Sequence, residues 1–315
     1  MQKKDLLYIK LYKKLYTAGF LYKHLKTWEE NGMTKIDFSL EVFPPKDSVG
    51  VDEIYKSLRQ FAELKPDYIS VTYGAGGTSQ GLTAEISSFI AKELSIPSVA
   101  HLTCVGSTKE NINFILQQLK LYGVKRILAL RGDLPDGHKL GDFKYATDLI
   151  EFINSFGGFD VYAACYPEGH SQSPSYDFDI EVAKRKADLG VKRFVSQLFF
   201  DNDDFYRMRD EYAKKGINVP VSVGIMPLTN AKNILRMVSL SGCKLPAQVT
   251  KMIAKFGDNQ EAFYQAGINY AINQITDLVS HGVDGIHLYS MNKPKTAEDI
   301  YKNIKIFLNE DNCEN

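Results

Sequence analysis

The stretch IDFSLEVF, residues 36–43, alternates apolar and polar side chains with a period of two. This period is typical of a β-strand whose two faces meet different surroundings. Phe38 and Leu40 fall on one face and are expected to pack against helices. Ser39 and Glu41 fall on the other face, which is the interior if the strand belongs to a closed barrel. The stretch therefore predicts a first strand that carries polar side chains into a barrel.

Seven further apolar runs follow along the chain, and amphipathic stretches separate them. Ile54, Leu58 and Phe61, for example, recur at helical spacing after the first run. Because parallel strands need a crossover connection, usually a helix, this alternation predicts an α/β fold, a single-domain (β/α)8 or TIM barrel. A doubly wound open sheet is the alternative. The predicted strands are residues 36–43, 67–73, 98–104, 126–131, 161–166, 193–200, 219–225 and 285–290.

The connection between the seventh and eighth runs is much longer than the others. We expect it to hold two helices, one of them an extra helix before the last strand. With this insertion the 315 residues suit one barrel, since such domains take about 250 residues before insertions.

The charge and the cysteine content limit the kinds of partner and metal site that we expect for this chain. The formal net charge is zero, which favours neither nucleic acid nor membrane as a partner, and no apolar run reaches 18 residues. The four cysteines form no C-x-x-C pair and no zinc-type cluster, so no metal site is predicted. They are interpreted as free thiols of a cytoplasmic protein.

Residues 1–32 differ from the rest of the chain. They contain seven lysines against three acidic residues. We interpret them as an N-terminal extension that is either disordered or not native, with the catalytic domain at 33–315. A basic amphipathic helix on a membrane surface is the alternative.

Polar residues end most of the predicted strands, where barrel enzymes place their active sites. Glu41 is a candidate general acid, because a carboxylate inside a barrel mouth must be paired or protonated; bracing the barrel is its alternative role. The glycine-rich residues 74–77 are a weak signal for a phosphate-binding turn. Residues 184–186, Lys-Arg-Lys, are either a solvated helix face or a pyrophosphate clamp.

The order of these motifs resembles the methylenetetrahydrofolate reductase family, in its short, bacterial-type form with a catalytic domain only. The resemblance runs from about Met33 to the segment HLYSMNK at 287–293. The motifs that carry it are FSLEVFPP at 38–45, VTYGAGG at 71–77, HLTC at 101–104, LRGDLP at 130–135, YPEGH at 166–170 and QLFFD at 197–201.

The resemblance implies a flavoprotein oxidoreductase of one-carbon and methionine metabolism. Such enzymes use FAD to pass a hydride from NADH or NADPH to 5,10-methylenetetrahydrofolate, by ping-pong kinetics, and release 5-methyltetrahydrofolate. It further implies a homo-oligomer whose partners are the folate and the pyridine nucleotide.

The same resemblance assigns roles to individual residues. Glu41 would protonate the folate nitrogen, and Asp133 would stabilise the cationic intermediate near the flavin. The implied cofactor-binding residues are Thr72, Tyr73, Ala75, His101, Leu130, Arg131, Gly132, Asp133, Tyr145, Ala146, Tyr166, His170, Asp179, Arg185 and Lys186. The implied substrate-binding residues are Asp133, Gln197, Asn233, Met237, Tyr289 and Lys293.

Three positions depart from the family pattern. Lys293 stands where the family has arginine, which keeps the charge but loses a bidentate fork. Asn233 and Met237 stand where a glutamine and a phenylalanine are usual, so the sequence does not predict how the nicotinamide is contacted. A flavin-binding subunit that receives electrons from a partner protein is therefore an alternative, as is a flavin barrel resembling proline dehydrogenase. Glu41, Asp133 and Gln197 together favour the reductase.

Overall fold

Eight parallel strands close into a barrel in the order of the chain. The structure is a computed structural model that describes residues 35–45, 49–73, 77–133 and 141–308. Residues 1–32 and Ala75, for which predictions were made, lie outside these ranges. The strands are β1 Asp37–Val42, β2 Tyr68–Val71, β3 Ser98–Thr103, β4 Arg126–Leu130, β5 Asp160–Cys165, β6 Arg193–Ser196, β7 Val221–Ile225 and β8 Gly285–Leu288. The predicted (β/α)8 barrel is confirmed, and each predicted run contains one strand, except that β5 begins one residue before its run.

Helices follow every strand and cover the outside of the barrel. Within the described ranges they are α1 Val49–Ala62, α2 Gly77–Lys92, α3 Lys109–Leu121, α4 Ala146–Phe156, α5 Tyr176–Asp188, α6 Asn202–Lys214, α7 Ala231–Ser241, α8 Ala247–Phe256, α9 Gln260–Ser280 and α10 Pro294–Leu308. None of these helices is long and apolar enough to cross a bilayer.

Three helices, not the expected two, connect β7 to β8. Gly242 ends α7 with a φ of 72°, the left-handed conformation that a glycine adopts without steric cost. Pro246 then precedes α8, and the Asn259 side chain caps the backbone nitrogen of Ala262 at the start of α9. These breaks divide a stretch that the apolar pattern alone did not resolve.

The alternation along β1 gives the orientation that its sequence predicts. Phe38 and Leu40 are 2% and 0% exposed and belong to the core between strands and helices. Ser39 pairs in register with Tyr68 of β2 and His287 of β8. Tyr68 belongs to a second buried cluster with Val99, Leu128, Tyr162 and Val195, drawn from β3 to β6. This inner layer fills the barrel below the side chains of the candidate site.

The packing of α9 against the chain after β7 has no room for a side chain at Gly267. An added Cβ would lie 1.8 Å from the Leu228 carbonyl oxygen, a backbone atom that cannot turn away. Gly267→Ala should therefore lower the free energy of unfolding by about 3 kcal/mol, the upper range for overpacking. Urea denaturation measures the change.

Gly81→Ala is the matched control for this substitution. Gly81 lies inside α2, and nothing is within 4 Å of its added Cβ. Because alanine favours a helix over glycine, we expect a gain of about 0.5 kcal/mol. Equal effects of the two variants would contradict the packing described for α9.

Candidate functional site

Glu41, near the carboxyl end of β1, lies between two buried histidines. Its Oε2 is 3.6 Å from Nε2 of His101 on β3 and 3.8 Å from Nε2 of His287 on β8. The Glu41 side chain is 21% exposed, whereas the imidazoles are 7% and 0% exposed. The carboxyl group is thus the part of this trio that a ligand in the barrel mouth can reach.

Hydrogen bonds to two serines fix the ring of His287. Ser39 Oγ donates to the Ile286 carbonyl oxygen at 3.1 Å and lies 2.8 Å from Nδ1 of His287. The Ser39 hydroxyl therefore holds the Nδ1 edge of the ring against β1. Ser70 Oγ lies 3.3 Å from Nε2, on the side of Glu41. The ring also stacks on Tyr68 at a centroid distance of 5.7 Å.

His101 is a neutral imidazole in this arrangement. Burial lowers its pKa to about 4; the carboxylate of Glu41 opposes this shift, and His287 adds to it. Its Nε2 has no hydrogen-bond partner among the described residues. A buried nitrogen that faces Glu41 without a partner is able to exchange a hydrogen bond, or a proton, with that carboxyl group.

His287 is a site residue that the sequence-based assignments omitted, although it begins the segment HLYSMNK at 287–293. The period of two along a strand could have identified it. His287 lies two residues before Tyr289, so both side chains point to the inside of the barrel. The Tyr289 ring meets the His287 ring edge-on at 5.2 Å, and its hydroxyl donates to the Ser196 carbonyl oxygen at 2.7 Å.

A cavity of about 230 Å³ lies between the ends of β4 and β5 and the helices α4 and α5. Its wall combines backbone of two strands with polar and cationic side chains. Nine residues assigned to the cofactor line it: Leu130, Arg131, Tyr145, Ala146, Tyr166, His170, Asp179, Arg185 and Lys186. Gln172 and Phe178, which were not assigned, line it too.

Lys186 is the most unusual side chain of the cavity. It is 6% exposed, and its Nζ donates to the Ala164 carbonyl oxygen at 2.8 Å and lies 5.8 Å from the centre of the Tyr166 ring. Burial lowers its pKa to about 8, so the amine is still mostly protonated at neutral pH. No carboxylate among the described residues pairs with it within 4.0 Å. Such a buried cation favours an anionic ligand.

Arg131, His170 and Asp179 continue the polar wall. The guanidinium of Arg131 donates to the Gln172 side chain, and the backbone nitrogen of His170 donates to the Asp179 carboxylate. Burial, followed by the charge of Arg131, lowers the pKa of His170. Arg185 differs from its neighbours because its guanidinium pairs with Glu151 at 2.8 Å on the surface.

Other assigned cofactor residues lie outside the lining of this cavity. Thr72 and Tyr73 follow β2, where the Thr72 carbonyl oxygen accepts from Thr83 Oγ1 at 3.0 Å. Gly132 has a φ of 90°, and an added Cβ would lie 2.7 Å from Val105 Cγ1, so this turn requires glycine. It places the exposed Asp133 just beyond the end of β4.

The assigned substrate residues are more widely spread. Gln197 follows β6, and its Oε1 accepts from the Leu198 backbone nitrogen at 2.8 Å. Asn233 is exposed in the first turn of α7, and Met237 is half-buried against a cluster that contains Leu198. Lys293 is exposed just after β8. The structure therefore places Gln197 and Tyr289 just after β6 and β8, and Asn233 is exposed at the start of the helix after β7.

Comparisons with known proteins point to one family. Residues 26–305 match the profile of the methylenetetrahydrofolate reductase family. The "Methylenetetrahydrofolate reductase (NADH) 1" of Arabidopsis thaliana is 34% identical over 296 residues, 89% of this chain and 50% of that protein. The "5,10-methylenetetrahydrofolate reductase" of Escherichia coli K12 is 32% identical over 263 residues, 84% and 88% of the two chains. The chain spans about half the length of the plant relatives that it matches.

A solved structure from Clostridium thermocellum has a similar fold. It is described as an uncharacterized protein that binds two copies of 5-methyl-5,6,7,8-tetrahydrofolic acid. The TM-score is 0.60 at 14% identity, over 89% of this chain and 98% of that one. A likeness at this identity supports the barrel fold.

The lowered pKa of His101 predicts a particular acid sensitivity. Between pH 6.5 and about pH 4 the unfolded chain binds a proton at His101 that the folded chain does not. The free energy of unfolding therefore falls as the pH falls through this window, by up to about 3 kcal/mol for this residue. His101→Gln should make the fall from pH 7 to pH 4 correspondingly smaller in urea denaturation. Parallel pH profiles for the variant and the wild type would show that His101 is not held neutral.

Proposed function

The chain belongs to the methylenetetrahydrofolate reductase family, and from this premise we propose that it reduces 5,10-methylenetetrahydrofolate to 5-methyltetrahydrofolate, with FAD as its cofactor and NADH or NADPH as the electron donor. The observation that carries the proposal is the placement of the Glu41 carboxyl group between two buried imidazoles at the barrel mouth. A protein that only binds a flavin or a folate has no need of an acid in this position.

The lining of the cavity between β4 and β5 suits the pyrophosphate part of a flavin nucleotide. Its buried ammonium, Lys186 Nζ, uses one carbonyl acceptor and has two further protons to donate. In our proposal Lys186 and Arg131 hold the negative pyrophosphate, and Asp179 accepts hydrogen bonds from ribityl or ribose hydroxyls. Tyr145 and Phe178, which are 47% and 49% exposed, offer aromatic surface for the flavin or the adenine ring. FAD bound there supplies the hydride that the folate accepts.

Glu41 carries out the proton chemistry in this proposal. Protonation of a folate nitrogen by its carboxyl group breaks the bond between that nitrogen and the bridging carbon. The carbon becomes part of a cationic iminium, which is the hydride acceptor. The neutral His101 and the fixed ring of His287 flank the carboxyl group and hold it at the barrel mouth, where a folate nitrogen would receive its proton.

Asp133 and Gln197 complete the substrate site as we propose it. Asp133 lies just beyond β4 with an exposed carboxylate, and opposite charge there would stabilise the cationic intermediate. Gln197 follows β6 at the same end of the barrel and would hydrogen-bond the pterin ring. Because Oε1 of Gln197 already accepts from Leu198, its amide protons are the groups left for a ligand.

Glu41→Gln separates the two halves of the proposed reaction. A carboxamide keeps the size of the side chain but has no acidic proton, so folate reduction should fall at least ~100-fold. The flavin spectrum and the rate of flavin reduction by NADH or NADPH should stay as in the wild type. Anaerobic stopped-flow spectroscopy measures both half-reactions.

Glu53→Gln is the control, because Glu53 lies exposed on α1 and, among the residues that the structure describes, pairs only with Lys56 at 3.0 Å. It should behave as the wild type in both half-reactions. Unchanged folate reduction by Glu41→Gln would show that another group is the acid.

Lys186→Gln tests the cofactor site without reference to activity. Loss of a buried cation beside a pyrophosphate should weaken FAD binding about 10- to 100-fold, which fluorescence titration of the flavin-free protein measures. Lys184→Gln is the matched control: Lys184 lies on the same helix but pairs with Asp188 at the surface. Equal dissociation constants for the two variants would place the flavin elsewhere.

A further inference from the structure

The turn after β8 has a backbone conformation that its residues do not favour. Met291 and Asn292 have φ angles of 56° and 54°, in the left-handed region where side chains with a Cβ are crowded. The Lys293 nitrogen donates to the Ser290 carbonyl oxygen at 3.1 Å, which closes a four-residue turn around them. Two positive φ angles in such a turn are usually provided by Asn-Gly. Here a methionine occupies the first position.

This turn differs from the other left-handed positions in the described ranges that are not glycine. Lys65 and Ser95 each lie three residues after a helix, α1 and α2 respectively. A left-handed residue is ordinary at a helix end, where it lets the chain satisfy the last carbonyl groups. Met291 and Asn292 follow a strand, so another interaction must hold them in this conformation.

The side chain of Asn292 supplies that interaction. Its Oδ1 accepts from the Phe43 nitrogen at 3.1 Å, and its Nδ2 donates to the Phe43 carbonyl oxygen at 2.8 Å. One acceptor and one donor in a single planar group match one backbone unit, which neither aspartate nor leucine can do. The opposite orientation of the amide would set donor against donor, so the pairing also defines the orientation.

These bonds join two strands at a point beyond their regular pairing. The β1–β8 register ends at Leu40 and Leu288, and the Tyr289 nitrogen donates to Ile225 of β7 instead. Asn292 returns the chain after β8 to β1, two residues beyond Glu41. The turn that it holds carries Met291, which is 37% exposed, and the exposed Lys293.

We propose that Asn292 is a positioning residue for the folate substrate: its two hydrogen bonds to Phe43 hold the turn at 290–293 at a fixed distance from Glu41. We call the two hydrogen bonds between Asn292 and Phe43 the clamp. Their geometry supports the clamp itself, whereas the identity of the ligand rests on the proposed function. A fixed turn presents Met291 and Lys293 to the substrate without an entropic loss on binding. The clamp therefore acts on substrate affinity, while Glu41 acts on the chemical step.

Asn292→Gly tests the clamp, because glycine keeps the left-handed conformation and removes both hydrogen bonds. Hydrogen–deuterium exchange of the peptide that contains the Lys293 amide should become about tenfold faster. The KM for methylenetetrahydrofolate should rise about tenfold, while kcat changes less than about threefold. Flavin content and flavin reduction by the pyridine nucleotide should not change. Asn292→Asp, which keeps the acceptor and turns a carboxylate oxygen toward a carbonyl, should be impaired at least as much.

Asn218→Gly is the control for the loss of an asparagine side chain. Asn218 is exposed before β7, at the opposite end of the barrel, and its Nδ2 donates to the Gly216 carbonyl oxygen at 3.3 Å. Exchange at Lys293 and the KM should both stay as in the wild type.

The possible results distinguish a failure of the Asn292 clamp from a failure of the proposed function. Unchanged exchange at Lys293 in Asn292→Gly overturns the clamp. Faster exchange with an unchanged KM, or a joint loss of kcat and flavin, overturns the positioning role and leaves a structural one. Absence of folate-dependent flavin oxidation in the wild type contradicts the proposed function instead, and the exchange experiment still decides whether Asn292 holds the turn.

Discussion

Closure of the parallel barrel is the constraint on which the rest of the structure depends. A strand whose neighbours on both sides are fixed cannot slip by one residue without turning its inner side chains outward. Because β1 pairs with β2 on one side and β8 on the other, Ser39 and Glu41 must point inward. The same closure brings His287 beside Glu41, although 246 positions of sequence separate them. The polar side chains buried in this interior then need hydrogen-bond partners, and they form hydrogen bonds with one another.

The interior and the neighbouring cavity provide two different electrostatic environments. The partners of Glu41 are two imidazoles, and burial keeps the one of His101 uncharged over the neutral pH range. Around Lys186 the environment is cationic, with an ammonium that has no carboxylate partner within ion-pair distance among the described residues. Proton transfer suits the first environment and anion binding the second. In our proposal the folate reacts in the first environment and the flavin pyrophosphate binds in the second, while the pyridine nucleotide and the folate use the same flavin in turn.

Much of this architecture could be predicted from the sequence, because its signals are local. The period of two along β1 and the eight apolar runs predicted the barrel and the direction of Glu41. The helix α8 was missed because its limits depend on Gly242 and Pro246 rather than on a clear apolar period. His287 and the Asn292–Phe43 pair were missed because both act through partners on β1, at the far end of the chain. Exposure of Asn233 likewise depends on how the insertion packs, which no local pattern specifies.

We propose that one chain holds a flavin and uses it to reduce a folate. An anaerobic spectrum of the purified protein, with NADH or NADPH added first and methylenetetrahydrofolate second, is the decisive experiment. We expect a yellow protein that the nucleotide bleaches and the folate reoxidises, with 5-methyltetrahydrofolate formed in equal amount. A flavin that only chemical reduction bleaches, but that the folate reoxidises, would assign electron supply to a partner protein. A protein that takes up no FAD, or a reduced flavin that the folate leaves unchanged, would overturn the proposed function.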